Sequence, residues 1–110
     1  MPPTYTPETA TIEVRRTSDR DIKMRLLMVV LDGKEMASLK FGESWSTRIA
    51  PGPHTLRITN HLFSLEAALD LAEGEIAAFQ AGNVVGLIGL VFLSLFGVGP
   101  YKVFMRRVHP

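Results

Sequence analysis

Histidine is the side chain in this sequence best suited to proton transfer or metal binding, and there are three: His54, His61 and His109. Two histidines that ligate one metal commonly lie two residues apart on a strand or four apart on a helix, and no pair here has either spacing. The sequence has no cysteine, and no Ser/His/Asp arrangement or phosphate-binding glycine loop is recognisable. The pattern therefore predicts no catalytic residues, no metal site and no cofactor, and it indicates a non-enzymatic protein.

His54, His61 and Trp45 are the candidates for contacts with a small ligand. His54 follows a Pro-Gly-Pro turn on the apolar side of a predicted strand, which favours a hydrogen-bonded structural role. Trp45 could stack on a sugar, but it alternates with Thr47 and Ile49, and this favours a place in the core, because aromatic side chains dominate burial. A β-sandwich that binds a small ligand or carbohydrate is an alternative that these residues leave open.

Basic residues form two groups. Arg15 and Arg16 begin a local cluster that interleaved aspartates largely neutralise, and Lys102, Arg106 and Arg107 follow the last apolar segment. A solvated strand edge that discourages edge-to-edge pairing explains the first group. If the chain meets a bilayer, these five residues are the predicted contacts to anionic headgroups, at about 1 kcal/mol each.

The composition is that of a globular protein, with 46% hydrophobic and 21% charged residues among 110 and a net charge of +1. So small a charge gives no general attraction to nucleic acid. We expect a flexible N-terminal arm over residues 1–9 and a single domain over residues 10–110. The first residues lack the basic and apolar regions of a secretory signal peptide, which indicates a cytoplasmic protein, with membrane association as the alternative.

Most of the chain alternates apolar and polar residues, the period of strands that bury one face. Asp32-Gly33 supplies the positive φ angles that a tight hairpin requires. From Leu27 to Leu31 both faces are apolar, so this part of a strand over residues 22–31 must be covered on both sides. The pattern predicts an all-β, antiparallel β-sandwich of about seven or eight strands, the last of which resumes the alternation from Tyr101 to Arg106.

Residues 84–98, VVGLIGLVFLSLFGV, contain no charge and show no period of two. The sequence predicts one apolar helix here, inserted before the last strand. Such a helix would be about 22 Å long, short of the roughly 30 Å hydrocarbon core of a bilayer. A chain that rejoins the sheet at Tyr101 also cannot complete a membrane crossing.

Three surroundings would shelter this segment from water: the protein itself, a membrane or a partner protein. We favour the first, in which the segment covers the apolar face of Leu27, Val29 and Leu31 or packs on the same segment of a second copy. The predicted interaction residues are Val84, Val85, Leu87, Ile88, Val91, Phe92, Leu95 and Phe96.

The stretch from Val29 to Ile58, with VVLDGKEMASLKFGES followed by APGPHTLRI, resembles the core of PEGA-type domains and related small bacterial Ig-like β-sandwiches. The Pro-Glu-Gly-Ala signature is missing, and Asn60 to Phe63 stand where a Gly-Tyr pair is usual. The resemblance implies an Ig-like fold and a non-enzymatic surface, envelope or scaffold module. We therefore expect a structural or protein-interaction module that self-associates into a homo-oligomer through residues 84–98, with a membrane-associated accessory domain as the alternative.

Overall fold

The protein is built from β-strands. A computed structural model describes residues 9–19, 21, 25–61, 63–85 and 101–109. Its eight strands are β1 (Ala10–Arg15), β2 (Leu27–Leu31), β3 (Lys34–Leu39), β4 (Ser44–Ile49), β5 (Gly52–Thr59), β6 (Ser64–Leu71), β7 (Ile76–Val85) and β8 (Tyr101–Val108). The predicted all-β class is confirmed.

The strands form two four-stranded sheets. Sheet A has the order β4-β1-β7-β8, and sheet B has the order β3-β2-β5-β6. All neighbouring pairs are antiparallel except β1 and β7, which are parallel. This arrangement fits the predicted β-sandwich.

Alternate residues of both sheets make the core. Ile12 and Val14 of sheet A and Val29, Leu56 and Ile58 of sheet B are completely buried in one cluster. This is the result expected for strands of period two, because successive side chains point to opposite faces. The predicted core position of Trp45 is confirmed, since its side chain is partly buried against this cluster.

Strand β2 shows where the sequence-based boundaries hold and where they fail. Asp32 and Gly33 have φ angles of 51° and 82°, which confirms the predicted tight turn into β3. Of the predicted strand over residues 22–31, residues 22–24 lie outside the described residues, and the ladder begins at Leu27. Arg25, at a φ of 64°, turns the chain away from an extended conformation before it. Val30 is 2% exposed although its neighbours Val29 and Leu31 point to the core, so this half of β2 is buried on both faces, as predicted.

The predicted apolar helix before the last strand is wrong. The described residues contain no helix, and Val84 and Val85, its predicted first residues, continue β7 and pair with Lys102 and Tyr101. β-branched residues suit such a ladder. Residues 86–98 of the predicted helix lie outside the described residues. No helix in the described part of the chain is long and apolar enough to cross a membrane.

The predicted last strand is confirmed, since β8 rejoins sheet A beside β7. We predicted that the apolar segment covers Leu27, Val29 and Leu31, but another part of the protein covers them. Leu27, Val29 and Leu31 lie in the core cluster with Ile12 and Val14, so the opposing sheet shelters them.

The strand directions place four connections at one end of the sandwich. Because β1, β3, β5 and β7 all run toward it, this end holds their last residues, Arg15, Leu39, Thr59 and Val85, and the first residues of the strands that follow them. We call it the apolar end. The turns at Asp32-Gly33, Ala50-Pro51 and Ala72–Glu75 lie at the opposite end.

Gly82, on buried β7, provides the first test of this packing. A Cβ atom there would lie 2.6 Å from Phe104 Cε1 and 2.9 Å from the carboxyl carbon of Asp21. We expect Gly82→Ala to lower the free energy of unfolding by about 1–3 kcal/mol, measured by urea denaturation, because Asp21 cannot move freely.

Ser46→Ala, on the exposed side of β4, is the matched control and should change stability by less than about 0.5 kcal/mol. If Gly82→Ala and wild type are equally stable, Phe104 and Asp21 can move to make room for the Cβ atom without loss of stability, and the packing around Gly82 is not as tight as we infer.

Candidate interaction site

A buried arginine organises the apolar end. β1 ends at Arg15, and the next residue, Arg16, is completely buried. Its Nε donates to Asp21 Oδ2 at 2.7 Å and its Nη2 to Oδ1 at 3.4 Å. Its Nη1 donates to the backbone carbonyls of Arg25 at 2.5 Å and Leu39 at 2.6 Å. The guanidinium thus joins the end of a sheet A strand to the start of β2 and the end of β3 in sheet B.

Asp21 supplies a hydrogen-bond acceptor to β7 beyond the point where the pairing of β7 with β1 ends. The pairing of β1 with β7 ends at Arg15 and Gln80, and beyond it the backbone N–H of Asn83 donates to Asp21 Oδ1 at 3.3 Å. A buried N–H without an acceptor would cost free energy comparable to a lost hydrogen bond. The absence of a side chain at Gly82 leaves room for this carboxylate.

Two buried asparagines extend these contacts across the sandwich. Asn60 Nδ2, after β5, donates to Asn83 Oδ1, on β7, at 2.9 Å. Asn60 Oδ1 in turn accepts a hydrogen bond from the Phe63 backbone N–H at 2.8 Å, which closes the connection between β5 and β6. Arg16, Asp21, Asn60 and Asn83 are each at most 3% exposed. We call these four residues the buried polar network.

A shallow groove of about 430 Å³ lies beside the backbone carbonyls of Arg25 and Leu39 that Arg16 binds. Its walls are Arg25 and Leu26, which precede β2, and Lys40 and Phe41, which follow β3. The pairing of Leu27 with Leu39 brings the two walls together. Leu26 and Phe41 are 46% and 37% exposed, so the groove combines two cations with two apolar side chains at the surface.

Other large apolar side chains are exposed nearby. Phe63 and Leu65, at the connection between β5 and β6, are about as exposed as the two in the groove. Val85 and Tyr101, which precede and follow the uncharged residues 86–100 in the sequence, pair at this end. The exposed apolar side chains and the two strand residues that flank the apolar segment therefore share one end of the described structure.

His54 links the turns at Asp32-Gly33 and Ala50-Pro51 by hydrogen bonds at the opposite end of the sandwich. Its Nδ1 lies 2.6 Å from Asp32 Oδ2, and its Nε2 lies 2.7 Å from the Ala50 carbonyl oxygen. Asp32 Oδ1 also accepts from the Thr55 backbone N–H at 2.8 Å. The predicted hydrogen-bonded structural role of His54 is confirmed. With both ring nitrogens facing acceptors, neither is placed for proton transfer to a ligand.

These contacts favour the charged forms of both side chains. The hydrogen bond to Asp32, and after it the Ala50 carbonyl, raises the pKa of His54 above its ordinary value, because only an imidazolium can donate from both nitrogens. The Thr55 N–H, and after it His54, lowers the pKa of Asp32.

The predicted apolar contact residues divide between described and undescribed parts of the chain. Val84 and Val85 lie on β7 next to the apolar end. The others lie outside the described residues: Leu87, Ile88, Val91, Phe92, Leu95 and Phe96.

The predicted anionic-surface residues are only partly brought together: Arg15 and Arg106 flank Gln80 in one row across β1, β7 and β8. Arg15 forms an ion pair with Glu13, and Arg107 forms one with Glu75. Arg16 is used inside the buried polar network, and its guanidinium has no exposed surface to offer. Arg106, on β8, is exposed.

Lys102 pairs through its backbone with Val84, next to the apolar end. The remaining histidines, His61 and His109, are exposed. Within the described ranges, no group of three or more histidine, aspartate or glutamate side chains could hold a metal ion.

A comparison with models of known protein families finds no match, and a comparison with curated proteins also finds none. The resemblance to PEGA-type domains therefore stays a prediction that rests on the residues of the β2–β5 region.

The groove and the buried polar network were missed at the sequence level. Arg16, Asp21 and Arg25 were interpreted as members of a solvated, mixed-charge cluster, and Lys40 was not singled out. The available signal was the Asp32-Gly33 hairpin, which brings residues 25–26 beside residues 40–41 once β2 and β3 are paired.

Removal of the Arg16 charge tests the buried polar network. Arg16→Met would leave the Asp21 carboxylate buried beside an apolar side chain, and we expect a loss of about 3–5 kcal/mol in the free energy of unfolding. The double variant Arg16→Met/Asp21→Leu removes both charges and should be less destabilised than the single variant. Urea denaturation of all four members of this cycle measures the coupling. If the effects of the two single substitutions on the free energy of unfolding are strictly additive, Arg16 and Asp21 are not coupled.

The His54 contacts predict a pH dependence of stability. Since the folded pKa of His54 lies above the unfolded value of about 6.5, the contribution is fully present below about pH 6.5 and is lost as pH rises through the folded pKa. The free energy of unfolding, measured in urea across this range, should therefore decrease with rising pH, and His54→Gln should remove that decrease.

His61→Gln, at an exposed histidine, is the matched control and should keep the wild-type profile. The Asp32 contribution has the opposite sign and is lost as pH falls through its lowered folded pKa. If the free energy of unfolding of His54→Gln decreases with rising pH as steeply as that of wild type, His54 is not the cause of the decrease.

Proposed function

We propose that this protein is a non-enzymatic β-sandwich module that attaches to a membrane surface through its apolar end. The observation that carries the proposal is the pairing of Val85 with Tyr101. These residues bracket an uncharged, apolar stretch of the chain, so the two residues that flank that stretch lie side by side.

This topology favours insertion from one side over a crossing. A segment whose two ends are held together by β7 and β8 enters and leaves an apolar phase through one face. Burial of apolar side chains at the boundary between headgroups and acyl chains then supplies the binding free energy, which scales with the apolar area removed from water.

Charge favours an anionic membrane over a second copy of the chain. Arg25 and Lys40 are exposed at the apolar end, and neither forms an ion pair with another residue that the structure describes. A symmetric dimer through this end would bring the same cations together, whereas lipid headgroups with negative charge complement them. Self-association through residues 84–98 stays a prediction and becomes one outcome of the test.

Co-sedimentation with vesicles tests the proposal. Wild-type protein is mixed with vesicles of phosphatidylcholine alone or of phosphatidylcholine with phosphatidylserine. We expect binding to the second kind, and Val91→Asp/Phe92→Asp should weaken it by about tenfold or more, because charges in the inserted segment oppose transfer from water.

Met36→Asp/Ile76→Asp adds the same two charges at exposed apolar side chains outside the apolar end and should bind like wild type. Wild-type protein that stays in the supernatant with both vesicle types would overturn the proposal. So would an oligomer in lipid-free buffer, measured by sedimentation velocity, that Val91→Asp/Phe92→Asp converts to monomers, since this result would favour self-association.

A further inference from the structure

The groove between Arg25 and Lys40 has the composition of a site for an anionic amphiphile. A guanidinium can bind phosphate through two parallel hydrogen bonds, and an ammonium adds a compact charge. Leu26 and Phe41, in the same walls, offer apolar surface. Its volume of about 430 Å³ is within the usual range for small-ligand sites, about 300–1,000 Å³.

The buried polar network fixes both walls of this groove. Arg16 Nη1 donates to the carbonyl of Arg25 in one wall and to that of Leu39, directly before Lys40, in the other. The backbone of Arg16 also pairs with the turn after Lys40, since its N–H donates to the Glu43 carbonyl at 2.9 Å and its carbonyl accepts from the Gly42 N–H at 2.7 Å. One buried residue thus positions both cations.

The backbone of Arg25 is held in an unfavourable conformation at this site. Its φ of 64° lies in the left-handed region, which costs a residue with a side chain roughly 1 kcal/mol. The hydrogen bond from Arg16 to the Arg25 carbonyl accompanies this conformation. Strain of this kind persists where the surroundings determine the backbone conformation.

No carboxylate in the described part of the chain forms an ion pair with Arg25 or Lys40. Asp21 is buried against Arg16, and a Glu43 carboxylate oxygen accepts a hydrogen bond from the Lys40 backbone N–H at 2.6 Å. Among the described residues, the charges of Arg25 and Lys40 are therefore available to an external anion, and exposed Glu43 and Asp19 in the adjoining segments reduce the local positive charge.

We propose that this groove binds the phosphate headgroup of an anionic lipid, with Arg25 and Lys40 on the phosphate and with Leu26 and Phe41 against the first part of the acyl chains. The inference rests on the proposed function, because it needs the apolar end to face a membrane. It adds to that function a defined site for one class of lipid.

The test uses a soluble lipid that needs no bilayer. Full-length protein labelled with ¹⁵N is titrated with dihexanoyl phosphatidylserine below its micelle-forming concentration, with dihexanoyl phosphatidylcholine and with inorganic phosphate. We expect saturable chemical-shift changes at residues 25–26 and 40–41 with the anionic lipid, and binding about tenfold or more weaker with each of the other two.

The variant Arg25→Gln/Lys40→Gln should bind the anionic lipid about tenfold or more weakly. Lys34→Gln/Arg48→Gln removes one lysine and one arginine at exposed positions outside the apolar end, gives the same net charge, and should bind like wild type. Both pairs are exposed, so both variants should fold, which urea denaturation verifies.

Equal weakening in the two variants, or shift changes away from the groove, would overturn the inference. Inorganic phosphate that binds as tightly as the anionic lipid would also overturn it, in favour of a site for free phosphate. If wild type and Arg25→Gln/Lys40→Gln bind anionic vesicles equally, the groove inference fails and the membrane proposal stands. If the soluble lipid titrates the groove but wild type binds no vesicles, the membrane proposal fails instead.

Discussion

The ion pair between Arg16 and Asp21 is the interaction on which the apolar end depends. Two buried charges cost several kcal/mol each to desolvate, and their attraction offsets this only when their remaining hydrogen bonds are also made. Here the guanidinium binds the carbonyls of Arg25 and Leu39, and the carboxylate accepts from the Asn83 N–H. The end of β1, the start of β2, the end of β3 and the last part of β7 are consequently linked to one another, and this linkage supports the surface built on them.

Local periodicity predicted most of the strands, because a sheet with one buried face imposes its period on the sequence. Ile12 and Val14 in β1 and the Asp32-Gly33 turn were recognisable for this reason. The same reasoning failed at Val84 and Val85, since an apolar run without alternation has no period to distinguish a helix from a strand. What decides the outcome is a partner distant in sequence, the ladder that Tyr101 and Lys102 offer to these two residues.

The candidate site was harder to predict, since its parts meet only in the folded chain. Arg16 and Asp21 have the local pattern of surface charges, and their burial follows from the way the chain turns inward after β1. Arg25 and Lys40 are far apart in sequence and become neighbours only because β2 pairs with β3. Charge and hydropathy along the chain contain no record of such distant contacts, so sequence analysis identified the apolar segment but not the groove beside it.

The charged side chains at the two ends of the sandwich have different partners. The two ends therefore present chemically different surfaces. At the end with the Asp32-Gly33 turn, surface ion pairs join Asp32 to His54 and Glu75 to Arg107. At the apolar end Arg16 pairs with Asp21 in the interior and Arg15 pairs with Glu13 at the surface, while exposed Arg25 and Lys40 form no ion pair with another described residue and lie beside exposed Leu26. A partner that offers negative charge together with apolar material would complement both the cations and the apolar side chains. Anionic headgroups over acyl chains have this layered chemistry, and an aqueous anion or a purely apolar protein surface supplies only half of it.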